Sequence, residues 1–113
     1  MSKIYVQALP EVFATSASLA ASGSISSGSF YTAGYARLIG IAIASASAKS
    51  GSGLAIYQSS DYGQNWDYAT IYAPTACSGS AYSIEVVGNA AKIEYRTDSA
   101  ASIFRTSWRL RPI

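Results

Sequence analysis

Carboxylates and a single thiol are the side chains of this sequence with the readiest acid–base, nucleophilic or metal-binding chemistry. The acids are Glu11, Asp61, Asp67, Glu85, Glu94 and Asp98. Most fall in turn-rich stretches or alternate with basic residues, and no serine has a base spaced to activate it. No spacing sets up the facing carboxyl pair that glycoside cleavage requires. Histidine is absent, which removes the usual general base, zinc ligand and pH switch together. Asp61 and Asp67 are too few for calcium, which takes roughly six to eight oxygens. The expectation is a protein that is not an enzyme and holds no cofactor or metal. Cys77, the sole cysteine, can form no internal disulfide and is expected as a small, half-buried apolar residue.

The densest group of polar and aromatic residues is SSDYGQNW, from Ser59 to Trp66. A carboxylate at Asp61 can accept from backbone N–H groups further along the turn. Gly63 can supply the positive φ of a tight hairpin. Trp66 would then pack on the start of the hairpin. Ser59, Asp61, Gly63 and Trp66 therefore read as a structural turn. The stretch resembles the Asp-box, a hairpin motif of pattern Ser/Thr-x-Asp-x-Gly-x-Thr/Ser-Trp, with Asn65 standing where the motif has Thr or Ser. In sialidases and related propellers that motif repeats once per blade, away from the catalytic centre. One copy in a chain this short argues for a hairpin and against a glycan-cleaving propeller.

Two sets of residues are candidate interfaces. Tyr57, Tyr62, Tyr68 and Tyr72, with Gln58, Gln64 and Asn65, have the composition of a surface on which sugar rings stack. Arg105, Arg109 and Arg111 alternate along one strand, with Lys92 and Arg96 elsewhere. Glu94 sits among the basic residues and no aromatic platform accompanies the arginines, which argues against nucleic acid. Nine tyrosines in so weakly charged a chain fit a contact surface, since tyrosine combines rigid area with a polar tip.

The elements that must position these residues are strands. In SIFRTSWRLRP, Phe104, Thr106, Trp108 and Leu110 share one face, while Arg105, Ser107, Arg109 and Arg111 share the other. SIEVV and KIEYRT alternate in the same way, as a strand with one wet face requires. Candidate strands cover residues 4–8, 12–15, 29–32, 35–44, 54–59, 67–72, 82–87, 92–97 and 102–110. Short Gly, Ser, Asn and Pro clusters separate them, so the fold class is all-β: an antiparallel β-sandwich or jelly roll of about eight strands. YARLIGIAIA is apolar on both faces and is expected in the middle of a sheet covered on both sides.

A chain of this size buries roughly two-thirds of its unfolded surface, enough for a core without staples. Its eight basic and six acidic residues give a net charge of +2, too weak to direct it to nucleic acid or an anionic membrane. The start is broken by Pro10 and does not read as a signal peptide, and the apolar run at residues 38–44 is far short of the ~20 that span a bilayer. Residues 14–29 are almost wholly Ala, Ser and Gly. They read either as a plain loop or as an extended arm that orders against a neighbour. The division expected is an N-terminal arm or edge segment over residues 1–29, acting between subunits, and a sandwich domain over residues 30–113.

A longer resemblance runs through GYARLIGIAIA, GLAIYQSSDYGQNWDYAT and AYSIEVVGNAAKIEYRTDSAASIFRTSWRLRP. These stretches resemble a recurrent domain of tailed-bacteriophage structural proteins, through Gln58, Ser59, Asp61, Gly63, Trp66, Asp67, Ala91, Lys92, Tyr95, Phe104 and Leu110. The resemblance implies a β-sandwich part of a virion, assembled in the host cytoplasm. It would be a capsid decoration protein or a tail-associated module, self-associating or docked on a major capsid or tail protein. A carbohydrate-binding module is the alternative, with a glycan as partner.

Overall fold

The computed structural model describes residues 10–49 and 53–113. The expected strand at residues 4–8 lies outside the described residues. Eight strands follow one another: β1 (Glu11–Leu19), β2 (Ser24–Tyr31), β3 (Tyr35–Ala44), β4 (Leu54–Ser59), β5 (Tyr68–Tyr72), β6 (Ser80–Glu85), β7 (Ala90–Arg96) and β8 (Ala101–Pro112). All pairings are antiparallel and make two four-stranded sheets, β1-β8-β3-β6 (sheet A) and β2-β7-β4-β5 (sheet B).

The order follows from a nested ribbon. β4 pairs with β5, β3 with β6, β2 with β7 and β1 with β8, so the first four strands run against the last four as one long hairpin. Rolling that ribbon brings β8 against β3 and β7 against β4. This winding is the jelly roll, so the all-β antiparallel sandwich expected from alternation is the fold that forms.

Side chains alternate as the sequence requires. Phe104, Thr106, Trp108 and Leu110 point inward from β8 and are buried, against Leu38 and Ala42 from β3, Leu54 and Ile56 from β4, and Ile93 and Tyr95 from β7. The Tyr95 and Phe104 rings stack at 4.3 Å across the two sheets. Burial of the Tyr95 phenol raises its pKa. Trp108 is the centre of this core. It faces Phe13 on β1 and Gly40 on β3, and Gly40 faces Tyr82 on β6. The indole lies over Gly40, where a Cβ would collide with the ring, and stacks on Tyr82 at 5.7 Å. Its Nε1 donates to Thr106 Oγ1 at 2.6 Å, and that hydroxyl donates to the Ile41 carbonyl at 2.7 Å. A buried donor is thereby satisfied without a charge.

Residues 14–29 are not a plain loop; within this chain they lie at one edge of each sheet. They fall mostly in β1 and β2, joined by a turn with Ser22 at φ 58°. Phe13, Thr15, Ala17 and Leu19 face Trp108, Thr106, Phe104 and Ala101 in register. Small residues fit here because the partner strand already supplies the large rings. The alternation was masked because Ala and Ser differ too little in polarity to display a period.

Candidate functional site

The hairpin at residues 59–67 is built from its own polar groups. Ser59 Oγ accepts from the N–H groups of Asp61 (3.1 Å) and Gly63 (2.9 Å) and donates to Asp61 Oδ1 (2.6 Å). Asp61 in turn accepts from the backbone N–H of Asn65 at 2.8 Å and from its side-chain amide at 2.6 Å. Asn65 therefore does the work of the hydroxyl residue it replaces. The Ser59 hydroxyl, then the Asn65 amide, hold the Asp61 carboxyl at a pKa of about 2. Gly63 has φ 94°, the left-handed conformation that the turn requires. Asp67 accepts from both the N–H and the hydroxyl of Ser60. Both carboxylates are thus engaged by turn donors, and among the described residues no group of three or more metal-binding side chains gathers.

Trp66 is half-buried on the outer face of sheet B, outside the core. The Lys92 ammonium lies 4.8 Å from its ring and 5.0 Å from that of Tyr57, and pairs with Glu94 at 3.4 Å. Buried Gln58 ties the hairpin to the turn between β6 and β7. It donates to the Glu85 carbonyl and accepts from the N–H groups of Val87 and Gly88.

The four tyrosines read as one sugar-binding face do not share a face. Tyr72 turns inward, 4.7 Å from the Tyr82 ring. Tyr68, registered with inward-facing Gln58, lies on that same inner side at the edge of the sheet. Tyr57 points outward, and Tyr62 stands at the hairpin tip, 62% exposed, beside Tyr31. Period-2 arithmetic separates Tyr57 from Tyr68 and Tyr72 once the β4–β5 register is known. Cys77 is exposed, not half-buried, with φ 58° in the connection from β5 to β6.

Arg105, Arg109 and Arg111, in contrast, do share a face, and it is not purely polar. They line the outer side of sheet A together with Ile39, Ile41 and Ile43 of β3. Cross-strand registers set Ile43 beside Arg105, Ile41 beside Ser107, Ile39 beside Arg109 and Arg37 beside Arg111. On the other flank Ile41 faces Ala81, and Arg37 faces Glu85. A shallow trough crosses all four strands through Ala14, Ser107, Ile41 and Ala81. Ile41 is 61% exposed at its centre. Arg37 is anchored by donation from Nε to Ser83 Oγ at 2.7 Å, and Arg109 contacts Glu11 at 3.3 Å.

This corrects the expectation for β3. The strand is interior to its sheet, but among the described residues nothing packs on its outer face. Covering both faces of a sheet takes helices or a further layer, and the described residues form no helix. The available signal was the combination of a doubly apolar strand with a sequence lacking any helical stripe.

Comparison with known protein families, with characterised proteins and with solved structures returned no match to this chain.

Proposed function

We propose that this protein is a non-catalytic structural part of a tailed-phage virion, docked on a capsid or tail protein through the outer face of sheet A. The observation that carries the reading is Ile41, 61% exposed in the centre of a sheet between half-buried Ile39 and Ile43, with none of the described residues packed over it. Contiguous apolar surface rimmed by polar residues is characteristic of contact with another protein. The resemblance of the strands and hairpin to phage structural domains supplies the setting. The jelly roll is used by capsid and lectin domains alike, so the fold alone does not choose between them.

The charges on this face favour a different protein over a second copy. Arg105 lines the trough, and Arg37, Arg109 and Arg111 lie on the same face of the sheet, against Glu11 and Glu85. Two copies packed face to face would oppose basic rims, whereas an apolar surface with an acidic rim complements them. Density-gradient purification of particles from cells that make the chain tests the reading. The chain is expected in the particle fraction by mass spectrometry and stays there on a second gradient. Its recovery only among soluble proteins would contradict docking.

A further inference from the structure

Docking through sheet A leaves the outer face of sheet B turned away from the partner, and one corner of that face is built unlike the rest. Tyr31, near the end of β2, and Tyr62, at the hairpin tip, are 70% and 62% exposed. Their rings meet at 5.8 Å and 75°, so one offers its flat face while the other stands beside it as a wall. Tyr62 has φ 59°, in the left-handed region that side chains with a Cβ disfavour and that Asn or Gly occupies more readily. Asn89 holds it there. Its Oδ1 accepts from the Tyr62 N–H at 2.8 Å, and its amide donates to the Ser60 carbonyl at 3.0 Å. A bulky aromatic is therefore fixed, solvent-facing, at a backbone position better suited to a small residue. Strain of this kind, maintained by surrounding bonds, marks sites where the side chain has a use.

We infer that the Tyr31–Tyr62 corner is a binding site for a neutral pyranose sugar. The apolar face of a sugar ring stacks on an aromatic face, and its hydroxyls need donors and acceptors at the rim. The phenol hydroxyls, the exposed Gln64 side chain and exposed Ser29 provide these. Ser29 adjoins the loop, its Cβ 3.8 Å from where a Cβ on Gly63 would lie. Neutrality follows from the neighbouring charges, each already engaged: Asp61 by Ser59 and Asn65, Asp67 by Ser60, and Lys92 by Glu94. A protein contact fits less well, because the loop that carries Tyr62 exposes the polar residues Ser60, Gln64 and Asn65, and exposed Ser29 adjoins it. The broad apolar surface lies on the opposite face.

The site is tested on the free protein, independently of docking. Methyl glycosides of glucose, galactose, mannose and N-acetylglucosamine, with N-acetylneuraminic acid as the anionic control, are titrated while amide chemical shifts are followed by NMR. At least one neutral glycoside is expected to shift the amides of Tyr31, Tyr62 and Gln64 saturably, with Kd on the order of 1 mM. Tyr31→Ala and Tyr62→Gly should each weaken binding about tenfold or more, the size of one lost aromatic contact. Tyr62→Gly also separates function from packing. Glycine relieves the positive φ, so that variant should melt at or above the parent temperature while losing the sugar. The proposal is overturned if no neutral glycoside perturbs these amides up to about 50 mM, a concentration far above that Kd. It is equally overturned if only the anionic sugar binds, if Tyr62→Gly melts below the parent, or if the two tyrosines prove necessary only for retention on particles.

Discussion

Leu38 and Ile41 occupy one strand on opposite faces of sheet A, Leu38 2% exposed and Ile41 61% exposed. Two branched aliphatic side chains of equal size thus meet opposite environments three residues apart. Leu38→Ala should cost about 2–5 kcal/mol of stability, the usual loss for a buried aliphatic in a close-packed core. Ile41→Asp should change stability by no more than about 0.5 kcal/mol, as expected of a surface position. Urea denaturation of the two variants checks both figures.

The contact between Gly40 and the Trp108 indole leaves no room for a side chain. Gly40→Ala should destabilise by about 1–3 kcal/mol through overpacking. Loss of the Trp108 fluorescence environment should accompany unfolding at lower denaturant. An unchanged midpoint would mean that the indole can leave Gly40 without cost.

Both the hairpin glycine and the hairpin tryptophan stabilise, by different amounts. Gly63→Val places a β-branched residue at φ 94° and should cost about 1–2 kcal/mol. Trp66→Ala should cost about 1–2 kcal/mol, less than the 3–5 of a fully buried aromatic, because Trp66 rests on Lys92 at the surface. Trp108→Ala should reach that larger figure. Thermal melts of the three variants rank these effects.

Asp61 gives the hairpin an acid limit. Its folded pKa, about 2, lies below the ordinary value of 3.8, so its carboxylate favours the folded state above pH 3.8. That contribution is lost as pH falls from about 4 through 2, as protonation removes the charge that strengthens the bonds from Ser59 and Asn65. Parent protein should therefore lose stability over this interval more steeply than Asp61→Asn. Melting temperatures recorded at successive pH values give the two slopes.

Much of this architecture could be read from residues alone, for a physical reason. In β8 the contrast between Phe, Trp or Leu and Arg is large, so Phe104, Trp108 and Leu110 announced their face. In β1 the contrast between Ala, Ser and Thr is small, so only residues 12–15 read as a strand and the rest as a loop or an extended arm. Ser59, Asp61 and Gly63 were legible because their bonds are local and the turn chemistry is short-range. The tyrosines were not, because their facing depends on a register between strands. Tyr31 is distant in sequence from Tyr62 and meets it only after the ribbon is rolled.

The bare face of β3 was the opposite case. Residue types marked it as covered, and only the three-dimensional arrangement reveals that the described residues offer no cover. If arginines guide the partner to that face, docking should weaken with salt. Screening contracts from about 10 Å at 0.1 M to 3 Å at 1 M ionic strength. Particles washed at the higher salt should release more of the chain, and Arg105→Glu should lower occupancy already at the lower salt. Retention insensitive to both would exclude the arginine rim from the contact.

Occupancy of purified particles by the Ile41→Asp variant, measured against parent chain by quantitative mass spectrometry, tests the docking face most directly. The variant should melt with the parent yet fall at least about tenfold in occupancy, as expected when a carboxylate is buried without a partner at an interface. Equal occupancy of variant and parent would contradict the account, because the one exposed isoleucine at the centre of sheet A would then touch nothing.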